Sequence, residues 1–163
     1  DAQLNRSDLG WNNDEGTVYV EALTPQAGND VGFSMFFHIG DGTTLTRFWL
    51  GIDATNSDID GDFKSKNVTV ATLTTSMTTA GVDYGGYTVK AAFAYKKDDF
   101  AMSVNGQTAV TDTSGSIDDL YTWDRINIGA YRLANTLPLN DCIVNIKYYP
   151  RRLTDDQLED LTS

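Results

Sequence analysis

Short segments in which apolar and polar residues alternate recur along most of this 163-residue chain. Such alternation turns one set of side chains towards a core and the other towards solvent, which predicts half-buried β-strands. Clusters rich in Gly, Asn and Asp separate the segments and predict turns. The predicted strands cover residues 16–25, 31–39, 45–52, 67–75, 87–96, 100–104, 107–111, 122–130 and 139–149.

Several of these strands are expected to form hairpins with their neighbours in the chain. A Gly-Asp-Gly turn at 40–42 joins two apolar segments, and Lys97-Asp98-Asp99 joins two more. Asn105-Gly106 is a strong signal for a two-residue hairpin turn. Residues 87–111 are therefore predicted to form a three-stranded meander. By composition, residues 53–62 and 78–86 are predicted to be loops.

Residues 142–162 predict one short helix directly after the last strand. Thr154 and Gln157 have the spacing of a capping box, and Leu153 and Leu158 have that of a hydrophobic staple. Two aspartates fall in the first turn, where the helix dipole favours negative charge. Because these signals agree, the start of this helix is well specified.

Regular short strands with one terminal helix indicate an all-β fold, a two-sheet antiparallel jelly-roll sandwich closed by a short C-terminal α-helix. The length suits a single domain over residues 1–163, and no repeat or linker divides it. The chain begins with Asp1 and not Met, so we expect it to be part of a longer or processed chain.

The net charge of −11 argues against binding to nucleic acid or to an anionic membrane through bulk electrostatics. No apolar run has the length of a membrane span, so membrane insertion is not expected. The acid is mostly Asp, which favours turns and caps. Cys142 is the sole cysteine and lies in an apolar run, which predicts a buried structural thiol and no intramolecular disulfide.

The order and spacing of three blocks of sequence resemble a known family of domains. The chain is similar to concanavalin A-like, laminin-G-like jelly-roll domains, in particular those appended to bacteriophage virion proteins such as tail fibres, spikes and head decorations. This resemblance implies a carbohydrate-binding or adhesive role and a location on a virion surface or outside the cell. The blocks are Trp11 with residues 16–22, residues 89–107, and residues 126–132 followed by 146–162.

No arrangement of residues predicts an enzyme. Glucanases of this fold carry an E-x-D-x-x-E pattern on one strand, and none of the three glutamates here stands in one. His38 is the only histidine and lies within an apolar segment, which favours a structural role. Trp11 and Trp49 are likewise expected to be structural.

Calcium is the only inorganic cofactor that the sequence suggests. Asp53, Asp58, Asp60 and Asp62 place four carboxylates within ten residues, and a hard cation would relieve their repulsion. Residues 56–61 match the first half of an EF-hand loop, but the expected Glu at its twelfth position is absent. A solvated acidic loop is the favoured interpretation, and a calcium site is the alternative. Laminin-G-like domains, which the chain resembles, often hold calcium at the sandwich rim, but with ligands from separate loops.

Aromatic and planar polar residues in predicted loops are the candidates for binding a sugar. An aromatic ring stacks on the apolar C–H face of a pyranose, while amide, carboxylate or guanidinium groups bind its hydroxyls. Each aromatic residue alone is more often a packing residue. The candidates are Tyr84, Tyr121, Trp123, Tyr131, Arg132 and Asn135.

The sequence therefore predicts a lectin-like, non-catalytic carbohydrate-binding or adhesive module of a phage virion surface protein. Its partner would be a host-surface glycan, bound by several copies at once because each site is weak. The strongest alternative is a structural decoration or assembly domain that binds other virion proteins and no glycan. A further alternative is a secreted glycan-active domain.

Overall fold

The architecture is taken from a computed structural model of the chain, and it confirms the predicted fold class. The structure describes residues 2–24, 33–41, 46–53, 56–65, 68–77, 80–81, 86–115, 117, 125–130, 139 and 142–163. The elements in chain order are β1 (Ala2–Asn5), α1 (Arg6–Leu9), β2 (Glu15–Leu23), β3 (Phe33–Gly40), β4 (Arg47–Asp53), β5 (Asp58–Ser65), β6 (Val68–Ser76), β7 (Thr88–Lys96), β8 (Phe100–Val104), β9 (Val110–Asp112), β10 (Arg125–Ile128), β11 (Ile143–Tyr149) and α2 (Asp155–Thr162).

The strands form two antiparallel sheets. The six-stranded sheet has the order β1-β10-β3-β4-β5-β6, and the five-stranded sheet has the order β11-β2-β7-β8-β9. The predicted hairpins are confirmed, since β3 pairs with β4, β7 with β8, and β8 with β9. The two sheets make a jelly-roll sandwich with a helix at the C-terminal end. In the part of the chain that the structure describes, no helix has the length and apolar character needed to cross a membrane.

Alternating side chains explain why the two sheets pack together. In β2, Val18 and Val20 face the core, and their neighbour Tyr19 lies on the other side of the sheet. Aromatic rings fill the space between the sheets, and Phe48 meets Phe93 across it with ring centroids 4.7 Å apart. The largest fully buried side chains are Tyr95, Phe36, Phe37, Phe48, Phe63, Phe93, Phe100, Ile39, Leu50, Ile52 and Ile59.

Trp11 closes one end of the sandwich, in agreement with its predicted structural role. Its ring stacks on Tyr148 and Tyr95, with centroid distances of 4.8 and 5.0 Å. Tyr148 donates or accepts a 2.9 Å hydrogen bond with Tyr95, whose hydroxyl also lies 2.6 Å from the Asn12 carbonyl. Burial, followed by the charge interaction and hydrogen bond with Tyr148, raises the pKa of Tyr95 far above its ordinary value, so the Tyr95 hydroxyl stays neutral.

The C-terminal helix begins as the sequence predicts. The Thr154 side chain accepts from the Gln157 backbone at 3.3 Å, and the Gln157 side chain accepts from the Thr154 backbone at 3.0 Å. Leu153 and Leu158 are buried in one cluster, which confirms the hydrophobic staple. The floor beneath α2 is made of small side chains, which let the helix lie close to the outer face of the five-stranded sheet. They are Ala92, Ala94 and Ala101.

Two further predictions about local structure have different outcomes. The turn at Asn105-Gly106 is confirmed, because both residues have the positive φ angles (48° and 69°) of a type I′ turn. The prediction of a buried Cys142 is wrong, since this residue is exposed. It immediately precedes β11, the edge strand of its sheet, where the apolar run has an open side. Val144 in the same run is 56% exposed.

The prediction of a loop over residues 53–62 is also wrong. Most of this segment belongs to β4 and β5, which pair from Asp53 and Asp58 onwards. Its Asp-rich composition obscured a period-two pattern in which Ile59, Gly61 and Phe63 face the core. The sequence also gave no signal for β1 and α1, which span four residues each.

We expect Gly61→Ala to destabilise the protein by about 1–3 kcal/mol through overpacking. A Cβ at this position would lie 2.3 Å from Phe93 Cδ2, and other buried aromatic rings surround that ring. Urea denaturation followed by tryptophan fluorescence measures the change in free energy of unfolding. The exposed Thr69→Ala on the adjacent strand is the control, with an expected change within about 0.5 kcal/mol. An unchanged midpoint for Gly61→Ala would contradict the close packing of the sheets.

Candidate functional site

A continuous line of polar and aromatic side chains crosses the outer face of the six-stranded sheet. Cross-strand partners have side chains on the same face, so the pairing register places them side by side. The line runs through five successive strands, β10, β3, β4, β5 and β6. Its members are Asn127, His38, Trp49, Asp62 and Thr72. We call this line, together with Arg47 and the neighbouring acidic residues of β4 and β5, the polar face.

Asp62 is the centre of the hydrogen-bond network on the polar face. It accepts from Trp49 Nε1 at 3.1 Å, from Thr72 Oγ1 at 3.1 Å and from Arg47 Nη2 at 3.3 Å. Arg47 and Asp62 are both largely buried, with side-chain exposures of 14% and 8%. Charge-assisted hydrogen bonds of this kind hold both partners in fixed orientations. The guanidinium of Arg47 is therefore presented rigidly at the sheet surface.

The remaining members of the line are buried or exposed according to their position in the sheet. His38 lies on the central strand β3 and is buried, with its Nδ1 3.2 Å from Asn127 Nδ2, so its structural role stays a prediction. Trp49 is 7% exposed and packs edge-to-face on Phe33 at 5.4 Å. The exposed side chains begin at β6, where Thr72 and Thr74 are exposed to solvent. The polar face is thus a fixed network bordered by accessible hydroxyl groups.

The four aspartates proposed for calcium share this outer face. Asp53 is the cross-strand partner of Asp58, and Asp60 and Asp62 follow at alternate positions of β5. Asp53 accepts from Asn56 Nδ2 at 2.8 Å. Asp62 already accepts from Trp49, Thr72 and Arg47. Among the described residues, no three acidic, histidine or cysteine side chains are grouped so as to hold a metal ion. Calcium binding by these aspartates stays a prediction.

Burial and neighbouring charges perturb the pKa of the Asp60 carboxyl group. Burial raises the pKa of Asp60 above its ordinary value, a hydrogen bond from Thr74 lowers it, and the charges of Asp58, Asp53 and Asp62 raise it further. One carboxylate oxygen of Asp60 is buried without a hydrogen-bond partner. The ionised form of the Asp60 carboxyl group is therefore energetically disfavoured at this position.

The sugar-binding candidates chosen from the sequence lie outside the described residues, so their placement stays a prediction. They are Tyr84, Tyr121, Trp123, Tyr131, Arg132 and Asn135. Sequence reasoning missed Arg47 as a candidate and treated Trp49 as structural only. The available signal was the alternation of Asp58, Asp60 and Asp62 with core residues, which marks a strand with one polar side. The cross-strand neighbours of that strand depend on register, which the sequence does not display.

The polar face offers binding chemistry. It combines donor-only groups on Arg47 with acceptor-only groups on the aspartates, and exposed threonine hydroxyls lie beside them. Hydroxyl-rich ligands both donate and accept hydrogen bonds, so they match such a mixed surface. Retaining or inverting glycosidases need two carboxyl groups on either side of a bound sugar. Here the carboxyl group of Asp62 is committed to Arg47, Trp49 and Thr72 instead.

Solved structures with the same fold include carbohydrate-binding modules. The chain is similar to the CBM40 domain of the Ruminococcus gnavus IT-sialidase, with 19% identity, a TM-score of 0.75, and coverage of 93% of this chain and 84% of that one. The same module has been solved bound to α2,6-sialyllactose, with 18% identity, a TM-score of 0.74, and coverage of 92% and 84%. At these identities the likeness establishes the fold.

Larger proteins contain a domain of the same shape. A leech intramolecular trans-sialidase matches with 18% identity and a TM-score of 0.74 over 93% of this chain, and this chain spans 23% of that one. A heptameric pentraxin from Limulus polyphemus matches with 10% identity and a TM-score of 0.62, over 91% of this chain and 70% of that one. No protein-family model matches the sequence, and no curated protein matches it either. The chain has the concanavalin A-like jelly-roll fold.

We expect Asp60→Asn to stabilise the protein at neutral pH by less than about 1 kcal/mol, since solvent screens a partly exposed group. The folded protein holds the Asp60 proton more tightly than the unfolded chain does, so ionisation destabilises the fold as pH rises above the ordinary aspartate pKa. The gain should vanish at lower pH, where the wild-type carboxyl is protonated in both states. Urea denaturation across a pH series measures this difference.

The matched control for this pH series is the exposed Asp14→Asn, which removes the same charge in the turn before β2. Its free energy of unfolding should differ little from wild type at each pH. A gain for Asp60→Asn that persists unchanged at low pH would contradict the assigned cause.

Proposed function

We propose that this chain is a non-catalytic glycan-binding module and that the polar face contacts the glycan. The observation that carries the proposal is the network in which Asp62 fixes Arg47 and Trp49 on the outer side of the six-stranded sheet. A guanidinium held in place loses little conformational freedom when it binds a ligand. The likeness to carbohydrate-binding modules, one of them solved with sialyllactose, supports the same function.

The mechanism follows from the groups on this face. The guanidinium of Arg47 donates to hydroxyl or carboxylate oxygens of the sugar, and the exposed hydroxyls of Thr72 and Thr74 add bonds at the β6 side. Trp49 acts as a positioning residue, because its indole N–H orients Asp62 and its ring is buried. Single-site binding of this type is weak, and display of several copies raises the apparent affinity.

The predicted setting is the surface of a bacteriophage particle, where the ligand would be a host-surface glycan. This setting rests on the three blocks of sequence resemblance. The alternative is a structural domain that packs against other virion proteins. A third candidate is a domain of a secreted glycan-active protein, and it is favoured by one observation: similar domains form about a quarter of two sialidase chains, 23% in one case and 27% in another.

A glycan array probed with a multimerised form of the chain tests the proposal. We expect a defined class of glycans to bind, and Arg47→Gln to weaken that binding roughly tenfold, as loss of a charged hydrogen bond does. Lys96→Gln is the matched control, because it removes one positive charge from the exposed end of β7 on the opposite sheet. Circular dichroism of each variant confirms that the fold is retained.

Each outcome of the array has a distinct meaning. Absence of binding by a folded, multivalent sample would contradict the module and favour the structural virion role. Equal loss in Arg47→Gln and Lys96→Gln would indicate a nonspecific charge effect and contradict the assignment of the polar face. Repeating the array with calcium and with a chelator tests the cation prediction, since loss in chelator would support a site at Asp53, Asp58, Asp60 and Asp62.

A further inference from the structure

The opposite side of the sandwich carries a groove that the polar face does not include. It lies where the end of β11 meets helix α2, on the outer side of the five-stranded sheet. It is shallow and open to solvent, with a volume of about 330 Å³. The lining residues are Tyr149, Arg151, Leu153, Gln157, Asp160 and Leu161.

The floor of this groove is apolar and firmly held. Leu153 is buried, and Tyr149 and Leu161 are partly buried against the same cluster beneath α2. The capping box and the small side chains of β7 and β8 fix the helix against the sheet. The groove is therefore formed before any ligand arrives, which lowers the entropy cost of binding.

The rim of the groove carries polar groups that have no partner within the described part of the chain. The neighbouring Arg152 is engaged by Asp99 and Asp155 at 2.8 and 2.7 Å, whereas the guanidinium of Arg151 makes no such contact there. The carboxylate of Asp160 is likewise uncommitted among the described residues. The Gln157 side chain uses its oxygen in the capping box, which leaves its NH₂ group available.

This combination of groups selects a class of ligand. The Arg151 guanidinium only donates hydrogen bonds, the Asp160 carboxylate only accepts them, and Tyr149 lines the same groove. An apolar helix or strand laid in the groove would leave these rim groups unsatisfied. A pyranose satisfies them, because each hydroxyl both donates and accepts and the C–H face of the ring packs on an aromatic side chain.

We propose that this groove is a second carbohydrate site, which binds one pyranose unit with its apolar face on Tyr149. Arg151 and Asp160 bind the hydroxyls on opposite sides of the sugar. The site faces away from the polar face, since the two lie on the outer sides of different sheets. One copy of the chain could then hold two glycans at once. The inference shares its ligand class with the proposed function but depends on separate residues.

Chemical-shift perturbation in the ¹⁵N-labelled chain tests the site. The probes are galactose, N-acetylglucosamine, lactose and 3′-sialyllactose, each titrated into the millimolar range. We expect at least one of them to shift the amides of residues 149–161 in a saturable manner. Arg151→Ala and Asp160→Asn should each weaken that response roughly tenfold. Both side chains are exposed, so neither change should disturb the fold.

A matched control and a second ring variant make the result specific. Asp156→Asn removes an exposed charge from the same helix outside the groove and should leave binding unchanged. Tyr149→Leu keeps an apolar side chain against the cluster beneath α2 but removes the ring, and it should abolish the response. A response that survives both Tyr149→Leu and Arg151→Ala would overturn the assignment.

The same titration separates this inference from the proposed function. Shifts confined to the polar face, with none at residues 149–161, would overturn the second site and leave the proposed function standing. Shifts confined to the groove would support the second site and count against the polar face. Absence of shifts with all four probes would overturn the second site. Line broadening at the groove that grows with protein concentration, without sugar, would identify a protein contact there and would also overturn it.

Discussion

The stack of Trp11 on Tyr95 and Tyr148 holds together parts of the chain that are far apart in sequence. Tyr95 belongs to a central strand, Tyr148 to the last strand, and Trp11 to the turn that precedes the first long strand. Aromatic pairs of this kind contribute about 0.5–1.5 kcal/mol each beyond the area that they bury. The hydroxyls of Tyr95 and Tyr148 hydrogen-bond to each other, and the Tyr95 hydroxyl also contacts the Asn12 carbonyl. The buried Tyr95 hydroxyl is therefore paired.

Because the main core lies between the two sheets, the residues on the two outer faces can differ in chemical character. Side chains alternate along each strand, so one residue faces the core and the next faces the outer surface. On β5, Ile59 and Phe63 fill the core, and Asp60 and Asp62 belong to the polar face. On the other sheet, the small side chains of the alanines on β7 and β8 allow α2 to lie close to the strands. The groove beside Tyr149 lies at the edge of α2, where the helix no longer covers the outer face of the sheet.

Local signals made much of the fold predictable, and long-range register made the rest unpredictable. The capping box at Thr154 and the turn at Asn105-Gly106 are specified by residues a few positions apart, so the sequence displays them directly. The high Asp content of β5 predicts a loop, although its alternation of polar and core residues indicates a strand. The meeting of Arg47 with Asp62 depends on which strands become neighbours, and no short-range pattern encodes that choice. For the same reason, the sequence predicts sugar-binding candidates in loops and not on a sheet.

The pairing of the last strand with the first long strand also constrains how the protein is made. Asn12 and Tyr148, whose hydrogen bond closes this end, are 136 residues apart. During synthesis, β2 leaves the ribosome before β11 and cannot pair with it until the residues between them have emerged. Until then one edge of the five-stranded sheet is open, which exposes the nascent chain to aggregation. Folding governed by such distant contacts is slow, so the domain reaches its native state only after its last strand has emerged.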